Sequence, residues 1–356
     1  MHPPFLLQSL VDFAHARFSG IHTFPQTNAR EVVLCPEEFE RLRPAIILDG
    51  AFDRMDNYLS ADYRQKMALS FSGGEIRHAP TLAYVFQNAR ISAGSFFSAG
   101  FRYRIRPPKE AGIPKKIDRL DQIALCASIT GDQYFGHCLN EDLPQMLLAE
   151  GFGEPARLTS KNWPDLYAYR DLFGLNWLEL DGAEIKEATI FWDFSQNSSR
   201  KERFQAYRSR LRERLIPKKP GGVFYLRRGD TGEARSPVND DDICAHLEKR
   251  GVDVIDVAHN NAQDFLENCL ERKIMISVEG SHMMHLVYTL MTGGGALALM
   301  PPLQPRCAIK DACDAIGARF ATVVGHMAPD GFRIDLDALS QTLDKLETAV
   351  DNLESV

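Results

Sequence analysis

The spacing of apolar residues changes character several times along this chain, and each change marks an expected element. From Thr81 to Ile105 the segments TLAYVFQNARIS and SFFSAGFRYRI, joined by a turn at Ala93-Gly94, alternate between apolar and polar. A period of two over such runs predicts a hairpin or meander of antiparallel strands. Upstream, Val32-Val33-Leu34 and Ala45-Ile46-Ile47-Leu48 read as strands bounded by proline or glycine. Beyond Pro107, Pro108 and the Lys115-Lys116 pair, residues 122–128 suit a buried strand. The stretch YFGHCLNEDLPQMLLA then predicts a helix opening near His137. ARLTS at 156–160 and ATIFW at 188–192 read as further short strands, and 204–215 as a charged helix.

Pro217-Lys218-Lys219-Pro220-Gly221-Gly222 breaks the pattern, so a domain boundary is expected there. Downstream the order is strand (223–226), loop, helix (240–250), strand (252–257), helix (262–271), strand (274–278), helix (281–291) and strand (296–299). Strands alternating with helices predict a doubly wound α/β domain. The chain is accordingly divided into 1–215, 223–332 and a last helix within 333–356. Asp335 is placed to cap that helix. Leu336, Leu343 and Val350 repeat every seven residues, beside a second series of Leu339, Leu346 and Leu353. So short a stripe suits packing on the chain's own domain; a coiled coil joining copies into a homo-oligomer is the alternative.

A chain of 356 residues suggests two domains of ordinary size. Apolar residues at 44% and charged residues at 25% mark it as globular rather than disordered. The net charge of −7 argues against a general nucleic-acid binder, whose footprint is a basic surface, but leaves room for a local basic cleft. No apolar run of about 18 residues occurs, so no transmembrane segment is expected. The opening MHPPFLLQSLVDFAHARF lacks the basic-then-apolar build of a signal peptide. A cytoplasmic protein is expected, with attachment at the inner face of the membrane as the alternative. The seven cysteines show no C-x-x-C spacing and read as reduced, mostly buried thiols.

Candidate chemistry gathers where expected strands end. VFYLR runs into a loop carrying Arg227, Arg228 and Arg235, and IMISV runs into E-G-S-H-M-M-H. In a parallel sheet both fall at carboxyl ends, where open α/β sheets bind ligands. Guanidinium groups facing a helix N-terminus suit a diphosphate, because forked donors and unpaired backbone N–H groups both favour phosphate oxygens. Surface ion pairs with Asp230, Glu233 or Asp240 are the competing reading of the same arginines. Asn239 is placed as a helix N-cap. Gly280 permits close backbone approach, and Ser281 can cap a helix or bind a phosphate oxygen. His282 and His285 share a face, but no third ligand stands nearby, so no metal is expected. Glu279 directly precedes that turn.

In the first half, His137 has Glu141 one turn on and Asp142 beside it. Such a group can supply a general base or hold an acceptor's hydroxyls. Acidic residues favoured by a helix N-terminus are the plainer reading. No P-loop, no G-x-G-x-x-G after a strand and no G-x-S-x-G elbow is present.

The order H-x-x-x-E-D-L-P, Y-L-R-R…R-x-P-x-N, V-E-G-S-H-x-x-H and M-P-P resembles the family-61 glycosyltransferases and their bacterial relatives in capsular and surface polysaccharide synthesis. The resemblance runs over residues 30–302 and is sharpest over 223–302. Many members carry His-Gly-Ala where this chain has Gly280-Ser281-His282. The resemblance implies a GT-B-like α/β architecture, with two Rossmann-like domains facing a central cleft and extra antiparallel strands in the first. The domain 1–215 would present the acceptor and 223–332 would bind a nucleotide sugar. It implies an inverting hexosyl- or pentosyltransferase acting on a glycan, glycoconjugate or other hydroxyl acceptor, with no metal or other cofactor. Arg227, Arg228, Arg235, Asn239, Gly280, Ser281, His282 and His285 would surround the donor. Asp142 is the expected base, with His137 orienting it or the acceptor, and Glu279 is the reserve. A non-catalytic sugar-binding or scaffold protein is a competing function, as is an epimerase or hydrolase on the same fold.

Overall fold

The computed structural model describes residues 29–55, 60–98, 100–159, 163–229, 236–258 and 261–354. Their contacts divide them into two units. One comprises 29–38 with Ala79–Arg203, and the other Phe39–His78 with 204–354. The division falls inside the helix Ser198–Arg214, ahead of the proline- and glycine-rich segment at 217–222. Residues 39–78 go with the C-terminal half because their apolar partners lie there. Ile46 N donates to Phe320 O at 2.9 Å, and Thr322 N donates to Ile46 O at 3.0 Å. The Phe71 ring lies 5.7 Å from that of Phe320. The strand expected at 45–48 shrinks to this one bridge, since Pro44 has no N–H to donate and the chain turns at Asp49-Gly50.

The chain enters the first unit with strand β1 (Arg30–Cys35). Residues 39–78, which belong to the second unit, carry most of the paired strands β2 (Glu38–Leu42) and β3 (Gly74–His78), which flank the helix Ala61–Ser72. Strands β4 (Thr81–Ser92), β5 (Ser95–Ser98) and β6 (Phe101–Arg104) form the expected antiparallel meander. Its first turn needs positive φ at Ala93 (47°) and Gly94 (66°), the twist that suits a tight hairpin. Phe86, Phe96 and Phe101 pack together over it, the rings of Phe86 and Phe101 stacked 5.0 Å apart. Strands β7 (Asp118–Leu125), β8 (Glu154–Leu158), β9 (Leu178–Leu180) and β10 (Ala183–Trp192) complete a mixed sheet of order β6-β5-β4-β10-β7-β8-β9, with β1 also on β4. The long β10 joins the halves, antiparallel to β4 and parallel to β7. From β7 the chain steps outward to β8 and β9, whereas β10 lies on the other side of β7. The segment after β7 therefore leaves the sheet where strand order reverses, the place at which such sheets bind ligands.

In the second unit β11 (Val223–Arg227), β12 (Asp253–Asp256), β13 (Ile274–Val278), β14 (Gly295–Met300) and β15 (Arg319–Val324) form an all-parallel sheet of order β12-β11-β13-β14-β15. Strands β13 and β14 are buried throughout, as unbroken apolar runs are in a sheet covered on both faces. The order reverses between β11 and β13, so both basic and glycine motifs sit at the switch point. The helix Ala308–Ile316 and strand β15 extend the expected series by one more helix–strand step.

Asp335 Oδ1 accepts from the N–H groups of Asp337 and Ala338 at 2.8 and 3.0 Å and caps the helix Leu336–Glu354. Leu339, Leu343, Leu346 and Val350 are buried in one core with Leu297, Leu299 and Val323. A Cβ on Gly295 would stand 2.9 Å from Leu346 and 3.1 Å from Val350, so glycine lets the helix approach β14 closely. These four side chains pack on this unit's own sheet; the Leu353 side chain lies outside the described residues. Among the described residues no helix is long and apolar enough to cross a membrane.

Candidate active site

Beyond β7 the Ser128 side chain caps the short helix Ile129–Gln133, its Oγ accepting from Gly131 N at 2.9 Å. Tyr134, with extended backbone, leads into the turn Phe135–His137, and the chain then widens into a π-helical turn at Cys138–Asp142. Such turns are rare and recur at functional sites. His137 Nδ1 lies 2.7 Å from Glu141 Oε1, while Thr130 Oγ1 donates to Glu141 Oε2 at 2.9 Å. Burial works to raise the Glu141 carboxyl, but the His137 hydrogen bond and charge, with the Thr130 hydroxyl, hold it below its ordinary range. A carboxylate only accepts, so the proton of a neutral His137 ring sits on Nδ1 and its lone pair on Nε2. The His137 side chain is 41% exposed and that of Glu141 16%. An imidazole oriented by a mostly buried carboxylate and open to solvent is the arrangement of a general base.

Asp142 is enclosed instead, with no exposure at all. Its Oδ1 accepts from Ser128 Oγ at 2.8 Å, and among the described residues Oδ2 has no hydrogen-bond partner. Burial pushes this carboxyl up to about 7, against the opposing pull of the Arg157 charge and the Ser128 hydrogen bond. A Cβ on Gly131 would overlap the Asp142 carboxylate, so residue 131 must be glycine for the two segments to close. The expected pairing of His137 with Asp142 is thus replaced by His137 with Glu141. Four residues apart, that pair shares one face of the turn, and Asp142 turns inward.

Residues distant in sequence brace the turn. Arg157 on β8 approaches Cys138 Sγ at 3.4 Å and lies over the Trp177 ring at 5.6 Å. Arg200 Nη1 donates to Asn140 O at 3.3 Å. Asp193, just past β10, accepts from Arg203 at 2.8 and 3.0 Å and from Thr81 Oγ1 at 2.9 Å, and pairs with Arg200 at 3.1 Å. Sequence reasoning did not select these residues, nor Ser128 and Thr130. The S-x-T-G step directly after a strand was a legible signal; Arg157 and Asp193 carry none, because only strand pairing brings them here.

In the second unit Arg227 Nε donates to Asp240 Oδ2 at 2.7 Å, and its Nη2 also donates to Asp241. Asp240 further accepts from the Tyr225 hydroxyl at 2.6 Å. The Asp240 hydrogen bond, partly offset by burial and reinforced by Asp241, holds the Arg227 guanidinium above its ordinary pKa. Arg227 thus makes one of the ion pairs that stood as the competing reading of these arginines. Arg228 is buried and turns to the other motif: a Cβ on Gly280 would stand 3.1 Å from Arg228 Nη1 and 3.1 Å from His282 Cε1. Arg235 lies outside the described residues. Asn239 does not cap the helix Asp240–Glu248; its Nδ2 donates to Ile334 O at 2.9 Å and its Oδ1 accepts from Ile334 N at 3.0 Å. Both ends of that amide are committed within the fold.

The helix expected at 281–291 is a tight 3-10 turn, Ser281–His285, followed by the single turn Leu286–Thr289. Ser281 is exposed and makes no side-chain cap. His282 Nε2 lies 2.7 Å from Ser277 Oγ, and that hydroxyl donates to Leu226 O at 2.5 Å. The serine's one proton is committed, so Nε2 carries the His282 proton and Nδ1 the lone pair. Burial first, then the charges of Arg228 and His285, lower His282 to about 3 and keep it neutral. His285 packs edge-on against Phe265 at 4.9 Å between ring centroids. Glu279 is buried, its N donating to Leu299 O at 3.0 Å. The fold thus gathers Arg228, Gly280 and His282, and leaves Arg227, Asn239 and His285 in structural contacts.

Residues 135–302 match the model of the family described as Glycosyltransferase 61. The match spans just under half of the chain, opening at Phe135 and closing past the His282 turn, so it takes in His137, Glu141 and Asp142 as well as Arg228, Gly280 and His282. It supports a glycosyltransferase of that family, with a sugar donor and an acceptor. No curated protein matches the chain.

Proposed function

We propose that the protein is an inverting glycosyltransferase, moving a hexosyl or pentosyl group from a nucleotide-diphosphate sugar to a hydroxyl of a glycan or glycoconjugate in polysaccharide synthesis. In this reading the two units are the acceptor and donor domains of a GT-B-type enzyme. The observation that carries it is the His137–Glu141 pair inside the matched segment. An acceptor hydroxyl is a poor nucleophile until its proton is removed. Nε2 of His137 takes that proton as the oxygen attacks the anomeric carbon, and Glu141 stabilises the imidazolium that forms. The bond from the anomeric carbon to the diphosphate breaks as the new bond forms. Arg228, beside Gly280, is the group suited to the charge on the departing diphosphate. Neutral His282, its one N–H committed to Ser277 Oγ, adds no charge of its own beside Arg228. The reading calls for no bound cofactor, because a base and a guanidinium supply the chemistry.

The test compares three variants with a panel of UDP- and GDP-sugars. His137→Ala and Glu141→Gln are expected to lower transfer about 10²-fold or more, with nucleotide-sugar affinity by calorimetry retained. Asp142→Asn is expected to retain transfer. Loss of transfer in Asp142→Asn alone would return the role of base to Asp142.

A further inference from the structure

Beside His137 stands an aromatic side chain that proton transfer does not use. Tyr134 is 46% exposed, and its ring lies 6.0 Å from that of His137 with the planes tilted by 56°. The residue is nonetheless firmly held. Its N–H donates to Thr130 O at 2.8 Å and its carbonyl accepts from Cys138 N at 3.0 Å. Next to it, Phe135 packs edge-on against Trp163 with centroids 5.8 Å apart. Among the described residues the Tyr134 hydroxyl makes no hydrogen bond. The firmly held backbone thus places a half-exposed ring, its polar tip uncommitted, directly beside the imidazole.

We propose that Tyr134 is the acceptor platform, on which a pyranose ring stacks so that one of its hydroxyls meets His137 Nε2. A pyranose carries C–H groups on its faces and hydroxyls around its rim. An aromatic face, with its partial negative charge, attracts the polarised C–H groups and leaves the rim to polar partners. The acceptor class is therefore a pyranoside, such as the end of a glycan, rather than a serine or threonine side chain. This assignment rests on the glycosyltransferase reading for the identity of the bound ring, though not for the existence of a stacking face.

The test reads binding and turnover separately. The full-length protein is titrated with the methyl β-glycosides of glucose, galactose and xylose while the sugar protons are followed by NMR. At least one glycoside is expected to show saturable upfield shifts of its C–H protons, the mark of a ring above them. The shifts should persist in Tyr134→Phe and vanish in Tyr134→Leu, which keeps an apolar side chain without the aromatic face. In transfer assays the acceptor KM of Tyr134→Leu should rise about tenfold, the scale of losing one stacked side chain's burial. Absent shifts, or shifts equal in wild type and Tyr134→Leu, overturn the platform. So does a wild-type acceptor KM in Tyr134→Leu while transfer proceeds, an outcome that leaves the transferase reading standing. Shifts that depend on Tyr134 in a protein that consumes no nucleotide sugar would uphold the platform and sink the transferase reading.

Discussion

Asp142 is the residue whose chemistry burial changes most among the acidic groups of the π turn. Its carboxyl titrates at about 7 in the fold, against about 3.9 in an unfolded chain. Between those values the folded protein holds a proton that the unfolded chain gives up. The contribution of Asp142 to stability is therefore fully present below pH about 4 and lost as pH rises to about 7. His282 works in the opposite sense: its pKa falls from 6.5 to about 3, so its contribution is present above pH 6.5 and lost as pH falls. Comparing wild type with Asp142→Asn cancels His282, which both proteins contain. The stability of wild type relative to Asp142→Asn should fall across pH 4–7 and level off above it, measured by urea unfolding at each pH. A difference that stays flat through that window would show the carboxyl to be ionised in the native protein.

At the scale of elements, the π turn is held by charge as much as by packing. Asp193 has no exposed surface and engages both Arg200, which reaches Asn140, and Arg203. The three ions hold the end of β10 against the first turns of the helix Ser198–Arg214. Removing this buried carboxylate takes away the anion that Arg200 and Arg203 both engage. Asp193→Asn is expected to cost about 3–5 kcal/mol, read from urea denaturation. A cost under about 1 kcal/mol would be that of a surface pair and would mean the cluster is well hydrated.

At the scale of the whole molecule, the chain leaves its first unit at residue 38, serves the second through residue 78, and returns. Strand β15 then depends on residues from the far end of the sequence, since Ile46 pairs with it and Phe71 covers Phe320. A fragment beginning at Phe204 would lose both. Its melting temperature should lie roughly 5 °C or more below that of the same fragment joined to residues 39–78, as uncovering a buried aromatic costs a few kcal/mol. Differential scanning calorimetry decides between them. Equal melting temperatures would mean that the early segment only decorates the second sheet.

Much of this architecture was already legible in local pattern. Alternation over 81–105, the apolar runs at 274–278 and 296–299, the cap at Asp335 and the leucine stripe of the last helix all depend on neighbours a few residues away, and side-chain period records those. The motif positions at strand ends were legible for the same reason. Tertiary structure alone decided the rest. It sent 39–78 to the second unit, reduced 45–48 to a bridge, and gave Arg227 to Asp240 and Asp241 while turning Arg228 toward Gly280. At 138–142 it widened the helix, so that His137 meets Glu141 and Asp142 is shut in against Gly131. Each outcome depends on a partner far away in sequence or on a volume that must be filled, and neither leaves a periodic trace in the chain.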